Sequence, residues 1–393
     1  MPEALDDITV IEFGGYAAGP AIGKYLANFG ARVIHVESDE RPDGFRLQYP
    51  PFKDGKVGLN RGGCFAFFND SKLGVTVDLK TADGVATAQQ LIDNADVLIE
   101  NMRPGVIDRL GFGWETLHAR NPRLVMLSTS NMGSTGPQRS HPGFGSQLSS
   151  LSGFTELIGA PDGPPSLLYG PYIDLIAVAY GGAAILAALD HRRRSGEGVF
   201  IDLSQYEAGV QFISPAILDY TANGVVARRH GNHDPVAVPH GSYRCSDDRW
   251  CAISCWDEDE WHRFCRAANC PWDRDERFAD AGARRIHEAE LDALIAEWVR
   301  TQESTALMHH LQANGVHAAV VNSVKDLFSD PQLAARGVWQ EMRHPEIGPH
   351  HYRMVSYQLS ETPGRVRGPA PCLGENNGIL SEDLLAVEGR RRR

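Results

Sequence analysis

Strand and helix signals alternate through the first two hundred residues of this 393-residue chain, and that alternation constrains its fold more than any other feature. Residues 8–13 (ITVIEF) and 31–37 (ARVIHVE) are short β-type runs. Between them Ile22, Tyr25, Leu26 and Phe29 recur at helical spacing, and Gly30 stops the helix. Further β-type runs follow at 74–79, 96–100, 123–130 and 199–204, with a helical stretch at 82–95 and a long apolar helix after Tyr172. Strands joined by helices pack as a parallel sheet with helices on its faces. The expected class is α/β, with a Rossmann-like large domain beginning at residues 1–225.

From residue 226 the texture changes. A turn-rich segment enters two strands joined by Ser246, Asp247 and Asp248, and two helical stretches follow at 257–268 and 285–300. A smaller α+β domain is expected over 226–325, with residues 326–393 returning to the large domain. The closing GRRRR, residues 389–393, reads as a solvated end.

Several function classes recede on simple grounds. A net charge of −12 opposes broad nucleic-acid binding. The longest apolar run, residues 175–189, falls short of the ~20 residues of a membrane span and reads as a buried helix. The first residues lack a basic n-region before an apolar stretch, and the seven cysteines are odd in number. Both features point to a cytoplasmic chain with reduced thiols. Cys251, Cys255, Cys265 and Cys270 match no common zinc spacing, and His230, His233 and His240 lie in a loop whose spacing does not show convergence. No metal is expected. No G-x-S-x-G elbow or P-loop is present.

Three stretches carry chemistry. FGGYAAGPAIG, residues 13–23, links a strand to a helix and is either a phosphate-approaching turn or simply a tight one. Glu37 ends the second strand, where dinucleotide sites place a ribose-binding acid, but the glycine pattern is not G-x-G-x-x-G. IENMRPGVIDRLGFGWE, residues 99–115, presents Asn101, Arg103 and Arg109, and with Lys72 it could hold an anion. Asp174 opens the long apolar helix. It is either a helix-start carboxylate favoured by the macrodipole or a sheltered nucleophile for an acyl centre.

Together with AGP at 18–20, GARVIHVE at 30–37, NDSKLGVTVDLKTADG at 69–84, GPYIDLIAVAYGGAAILAAL at 170–189, DPQLAARG at 330–337 and APCLGENN at 370–377, these stretches resemble the class III CoA-transferases along essentially the whole chain. The resemblance implies an enzyme that moves CoA from an acyl-CoA donor to a carboxylic acid through aspartyl anhydride and aspartyl-CoA thioester intermediates. Asp174 falls on the family's nucleophile, and Ala18, Lys72, Asn101, Arg103 and Arg109 fall at CoA-binding positions. It further implies an interlocked homodimer, or a homologous second subunit, with no tightly bound cofactor and a CoA thioester as substrate. No glycine run occurs between Val225 and Val324, where formyl-CoA transferase carries one. Ser38 and Asp39 stand where its basic residues follow the second strand, with Arg41 slightly later, and Gly145 follows Phe144. The missing run argues against an oxalate or formate substrate, and the shorter middle domain with PHGSYRCSDDRW, residues 239–250, is more similar to members acting on larger acids, such as benzylsuccinate or mesaconate, with succinyl-CoA as donor.

Two other readings stand beside this one. An α-methylacyl-CoA racemase-like isomerase shares the implied fold but needs a His before the SLSG stretch, where Phe144 stands. An NAD-dependent oxidoreductase rests on Glu37 and the early glycines alone.

Overall fold

Six strands realise the alternation: β1 Thr9–Phe13, β2 Arg32–Glu37, β3 Leu73–Thr76, β4 Val97–Glu100, β5 Val125–Ser130 and β6 Phe200–Ser204. They form one sheet in the order β3-β2-β1-β4-β5-β6, and every neighbouring pair is parallel. The computed structural model describes residues 3–170 and 172–381; the basic tail at 389–393 lies outside them. Alternate strand residues enter opposite layers. Val10, Val33, Val97 and Leu127 belong to one apolar cluster, and Ile11, Ile34, Leu98 and Met126 to the other. Burial on both faces is why these strands are nearly continuous in apolar residues.

The helices Ala18–Asn28 and Tyr172–Ser195 cover the first face, and Ala82–Asp93 and Trp114–Arg120 cover the second. Gly181 lets the first two helices approach closely: a Cβ there would stand 2.5 Å from Cδ1 of Ile22. The expected burial of the Tyr172–Ser195 helix holds only for one stripe, through Ile173, Ala177, Val178, Gly181, Ile185, Ala188 and Arg192. Tyr172, Leu175, Tyr180 and Leu186 are exposed. The helix is long and apolar enough to cross a membrane by length and composition alone, a test that core helices of α/β proteins also pass. The expectation that no segment reaches that length held for the unbroken apolar run but not for the helix.

Strand order leaves a crevice where β1 and β4 lie side by side but their following chains turn to opposite faces. Beneath this edge lies a network of buried charges. Lys72 Nζ donates to Glu12 Oε1 at 2.8 Å and Oε2 at 3.0 Å, to the Pro20 carbonyl at 2.7 Å and to Asn69 Oδ1 at 2.8 Å. His35 Nδ1 lies 2.6 Å from Glu12 Oε1. Burial by itself would raise the Glu12 carboxyl, but the Lys72 charge and the His35 contact outweigh it and hold the group at about 2. Nearby, Arg46 grips Glu37 at 2.6 and 2.8 Å, and Lys24 pairs with Asp70.

By contact density the chain divides into two units: residues 1–155, 167–225 and 331–393 form the first, and 156–166 with 226–330 the second. In the first, the closing segment runs along β3. Gly74 and Thr76 donate their N–H groups to the side chains of Asn376 and Asn377, so the sheet edge is covered. In the second, β7 His240–Arg244, β8 Trp250–Ser254 and β9 His317–Val320 form an antiparallel sheet. Helices Glu258–Ala268, Glu288–Val299 and Ser304–Ala313 supply Trp261, Phe264, Ile295 and Leu307 to its core. Cys245, Cys251, Cys255 and Cys265 are part of that apolar core, and burial pushes their thiols up. Among the described residues no three His, Cys, Asp or Glu side chains gather to hold a metal ion.

The Glu12–Lys72 pair generates a stability prediction. Lys72→Met leaves a buried carboxylate without its counter-charge, and the expected loss is about 3–5 kcal/mol in urea unfolding. A shift below about 1 kcal/mol would show that the pair does not hold this region together.

Candidate active site

Two adjoining clefts open at the carboxyl edge of the parallel sheet, and Tyr16, Asn101 and Met102 form their common wall. One, about 360 Å³, contains Asp174; the other, about 490 Å³, lies over the ends of β1, β2 and β3. Their common wall is built by close backbone approach. Asn101 accepts from the Gly15 N–H at 3.0 Å and donates to the Gly15 carbonyl at 2.8 Å. A Cβ on Gly14 would stand 2.1 Å from Asn101 Oδ1, so only glycine fits there. Tyr16 follows with a φ of 62°, a backbone state that bulky residues rarely adopt. It is held there by its N–H bond to Asp43 at 3.0 Å and its hydroxyl bond to Gln48 at 2.8 Å. Its ring meets Phe144 edge-on at 5.7 Å.

Asp174 sits in the first turn of the Tyr172–Ser195 helix, and its side chain is half-buried. Packed protein around the carboxyl pushes it up to about 6. No cation or side-chain donor meets it among the described residues. The loop facing it, residues 131–145, is tied down at both ends. Asn131 donates to the Gly143 carbonyl at 2.9 Å, and Asp202 accepts the Ser134 N–H at 2.9 Å. This loop brings Arg139 and His141 to the Asp174 cleft.

The residues singled out from the sequence fall in different places. Asn101 lines both clefts and Arg103 lines the one with Asp174. Arg109 is exposed on the short helical turn Val106–Arg109, between Val106 and Leu110, which line the second cleft. Ala18 is buried as the first residue of its helix, and its neighbour Ala17 faces the cleft instead. Lys72 requires a correction: its ammonium is enclosed by Glu12, Pro20 and Asn69, so it has no donor left for a ligand phosphate. The lysine at the cleft is Lys80, four residues past β3 and paired with Glu40, and Arg41 lines the same cleft. Lys80 was present in the quoted stretch VTVDLK, but only strand length decides which of the two lysines emerges beyond the sheet edge. Glu37 is also answered: both its oxygens are occupied by Arg46 and the Asp43 N–H. That occupancy removes the acid on which the NAD reading rested. Sequence reasoning passed over Thr129, Ser130, Arg139 and Gln205, which carry no motif, and over Tyr16 within the stretch 13–23; they meet only in three dimensions.

A carboxylate without a counter-ion, beside a cleft rimmed by Arg and Lys, suits attack on an acyl group carried by a phosphate-bearing molecule. The model of CoA-transferase family III matches residues 5–377. The chain is similar to succinyl-CoA–D-citramalate CoA-transferase of Chloroflexus aurantiacus, 34% identical over 98% of this chain and 95% of that one. It is also similar to the alpha subunit of succinyl-CoA–L-malate CoA-transferase from the same organism, 32% identical over 98% and 89%. Among solved structures, a CaiB/BaiF family protein from Brucella suis superposes with a TM-score of 0.90 at 30% identity, covering 98% of this chain and 100% of that one. With fold, cleft chemistry and near full-length similarity in agreement, the chain belongs to CoA-transferase family III and is an enzyme of that class, one that uses CoA thioesters as substrates.

Proposed function

We propose that this enzyme transfers CoA from succinyl-CoA to a short dicarboxylic acid, with Asp174 as the nucleophile. The carrying observation is the placement of Asp174: a half-buried carboxylate, without a counter-ion among the described residues, in a cleft that adjoins a second one large enough for a nucleotide end. The names of the relatives, which pair succinyl-CoA with citramalate or malate, support the substrate class.

The chemistry runs in four steps. A carboxylate oxygen of Asp174 attacks the thioester carbonyl; the C–S bond breaks and CoA leaves as thiolate, giving a mixed anhydride. The thiolate attacks the aspartyl carbonyl and releases succinate, leaving an aspartyl-CoA thioester. The acceptor carboxylate attacks that thioester, forms a second anhydride and frees the thiolate again. The thiolate then attacks the acceptor's acyl carbon, and Asp174 leaves as carboxylate. Every step exchanges one acyl bond for another, so exclusion of water preserves the thioester's reactivity.

A second reading has one observation in its favour. His141 lines the same cleft as Asp174, the acid–base pairing that α-proton exchange on an acyl-CoA requires. Exchange of the α-proton in deuterated water without any CoA transfer would select it.

We also propose that a second copy, or a homologous subunit, covers the outer face of the Tyr172–Ser195 helix and the exposed Phe212, Leu218 and Tyr220. Exposed apolar area of this kind is rarely left bare in a monomer. A monomeric mass by light scattering at micromolar concentration would overturn this.

Asp174→Ala is expected to abolish transfer while CoA still binds, and hydroxylamine should trap a hydroxamate on the Asp174 peptide after mixing with succinyl-CoA. Because the attacking group is the carboxylate form, loading should be flat above pH 6 and fall about tenfold per unit below it. A transfer-competent Asp174→Ala enzyme would end the proposal. Arg109→Ala and Lys80→Ala should each weaken CoA binding by about 1–3 kcal/mol in calorimetry, the scale of a lost charged hydrogen bond. Unchanged affinity would remove that residue from the site.

A further inference from the structure

The polar groups of the Asp174 cleft divide into a charged rim and a neutral wall. Arg103, Arg139 and His141 are exposed at the rim. The wall is made where β5 and β6 end. Ser128 spends its hydroxyl on Glu100. The next two hydroxyls, of Thr129 and Ser130, are buried and have no hydrogen-bond partner among the described residues, yet both residues line the cleft. Gln205 lines the same wall at 5% exposure, and its side-chain amide makes no hydrogen bond among the described residues. Buried polar groups are nearly always paired, and leaving one unpaired costs more than its bond would contribute. Two buried, unpaired hydroxyls in one wall, with the Gln205 amide beside them and next to the group proposed to react, are accounted for by a ligand that completes them.

The chemistry of the wall identifies that ligand. Two hydroxyls and an amide N–H are neutral donors, and a carboxylate can accept from all three. Gln205 is also the first residue of the helix Gln205–Phe212, whose positive end lies at this wall. An alkyl chain in the same place would leave both buried hydroxyls unpaired. We propose that Thr129, Ser130 and Gln205 hold the remote carboxylate of a dicarboxylic acyl group, the one that does not react. This rests on the reading of Asp174 as the acyl carrier. The donor's and the acceptor's acyl groups are each joined in turn through a bridging oxygen to the same Asp174 carboxyl carbon, so they occupy the same space. One pocket therefore serves both substrates and makes the enzyme selective for dicarboxylic acids at each half of the exchange.

The test compares loading of Asp174 from succinyl-CoA and from butyryl-CoA, which has the same chain length without the terminal carboxylate. Release of the free acid, succinate or butyrate, at subsaturating donor gives the ratio of the two rates. The native enzyme should favour succinyl-CoA. Thr129→Val and Ser130→Ala, each alone, and Gln205→Leu should cut that ratio by about tenfold through loss of the succinyl rate, with CoA affinity unchanged as the check that the site is folded. Native enzyme without a preference, or variants that bind CoA and keep the native ratio, would overturn the pocket and leave the nucleophile intact. Loading from neither donor would overturn both.

Discussion

A single buried carboxylate, Glu12 on β1, organises the interior of the first unit. It can be ionised there only because Lys72 and His35 reach it from the segments beside β3 and from β2. Lys72 in turn donates to the Pro20 carbonyl and fixes the start of the Ala18–Asn28 helix. Strand, helix and the chain before β3 are thereby locked in one arrangement. The crevice above them inherits its shape: the Gly14–Tyr16 turn has little freedom once β1 and the helix are both held.

From that fixed floor the site is assembled by backbone, not by charge. Asn101 and Gly15 bond reciprocally across β1 and β4, and Glu100 holds the Met102 N–H at 2.8 Å, so the turn after β4 is pinned on both sides. Burial, aided by the negative charges of Asp108 and Asp202, pushes the Glu100 carboxyl up to about 7 against the lowering effect of the Ser128 hydroxyl and Met102 N–H that it accepts. The result separates charge in space. Cations stand at the rim of the clefts, and the side chains that line the interior beside Asp174 are neutral.

The unevenness of the Tyr172–Ser195 helix belongs to the same logic. Its inner stripe packs on the sheet and carries Asp174 at its mouth, while its outer face remains apolar. A helix hydrophobic all round needs cover on both sides. The sequence pattern therefore pointed to burial that the single chain supplies on one side only.

What the sequence determined was the α/β class, the strand order's raw material and the location of Asp174 on an apolar helix. These follow from local periodicity and composition, which are written residue by residue. It also marked Asn101, Arg103 and Arg109 on the turn after β4, because that turn is continuous in the chain. It could not separate Lys72 from Lys80: both are lysines near β3, and only the end of the strand decides that one turns inward to Glu12 and the other emerges at the cleft. Nor could it show that Glu37 is already neutralised by Arg46, or that Thr129, Ser130 and Gln205 share a wall with Asp174. Those relations join residues from separate strands, and pairing, burial and unmet hydrogen bonds come into being only when the chain has folded.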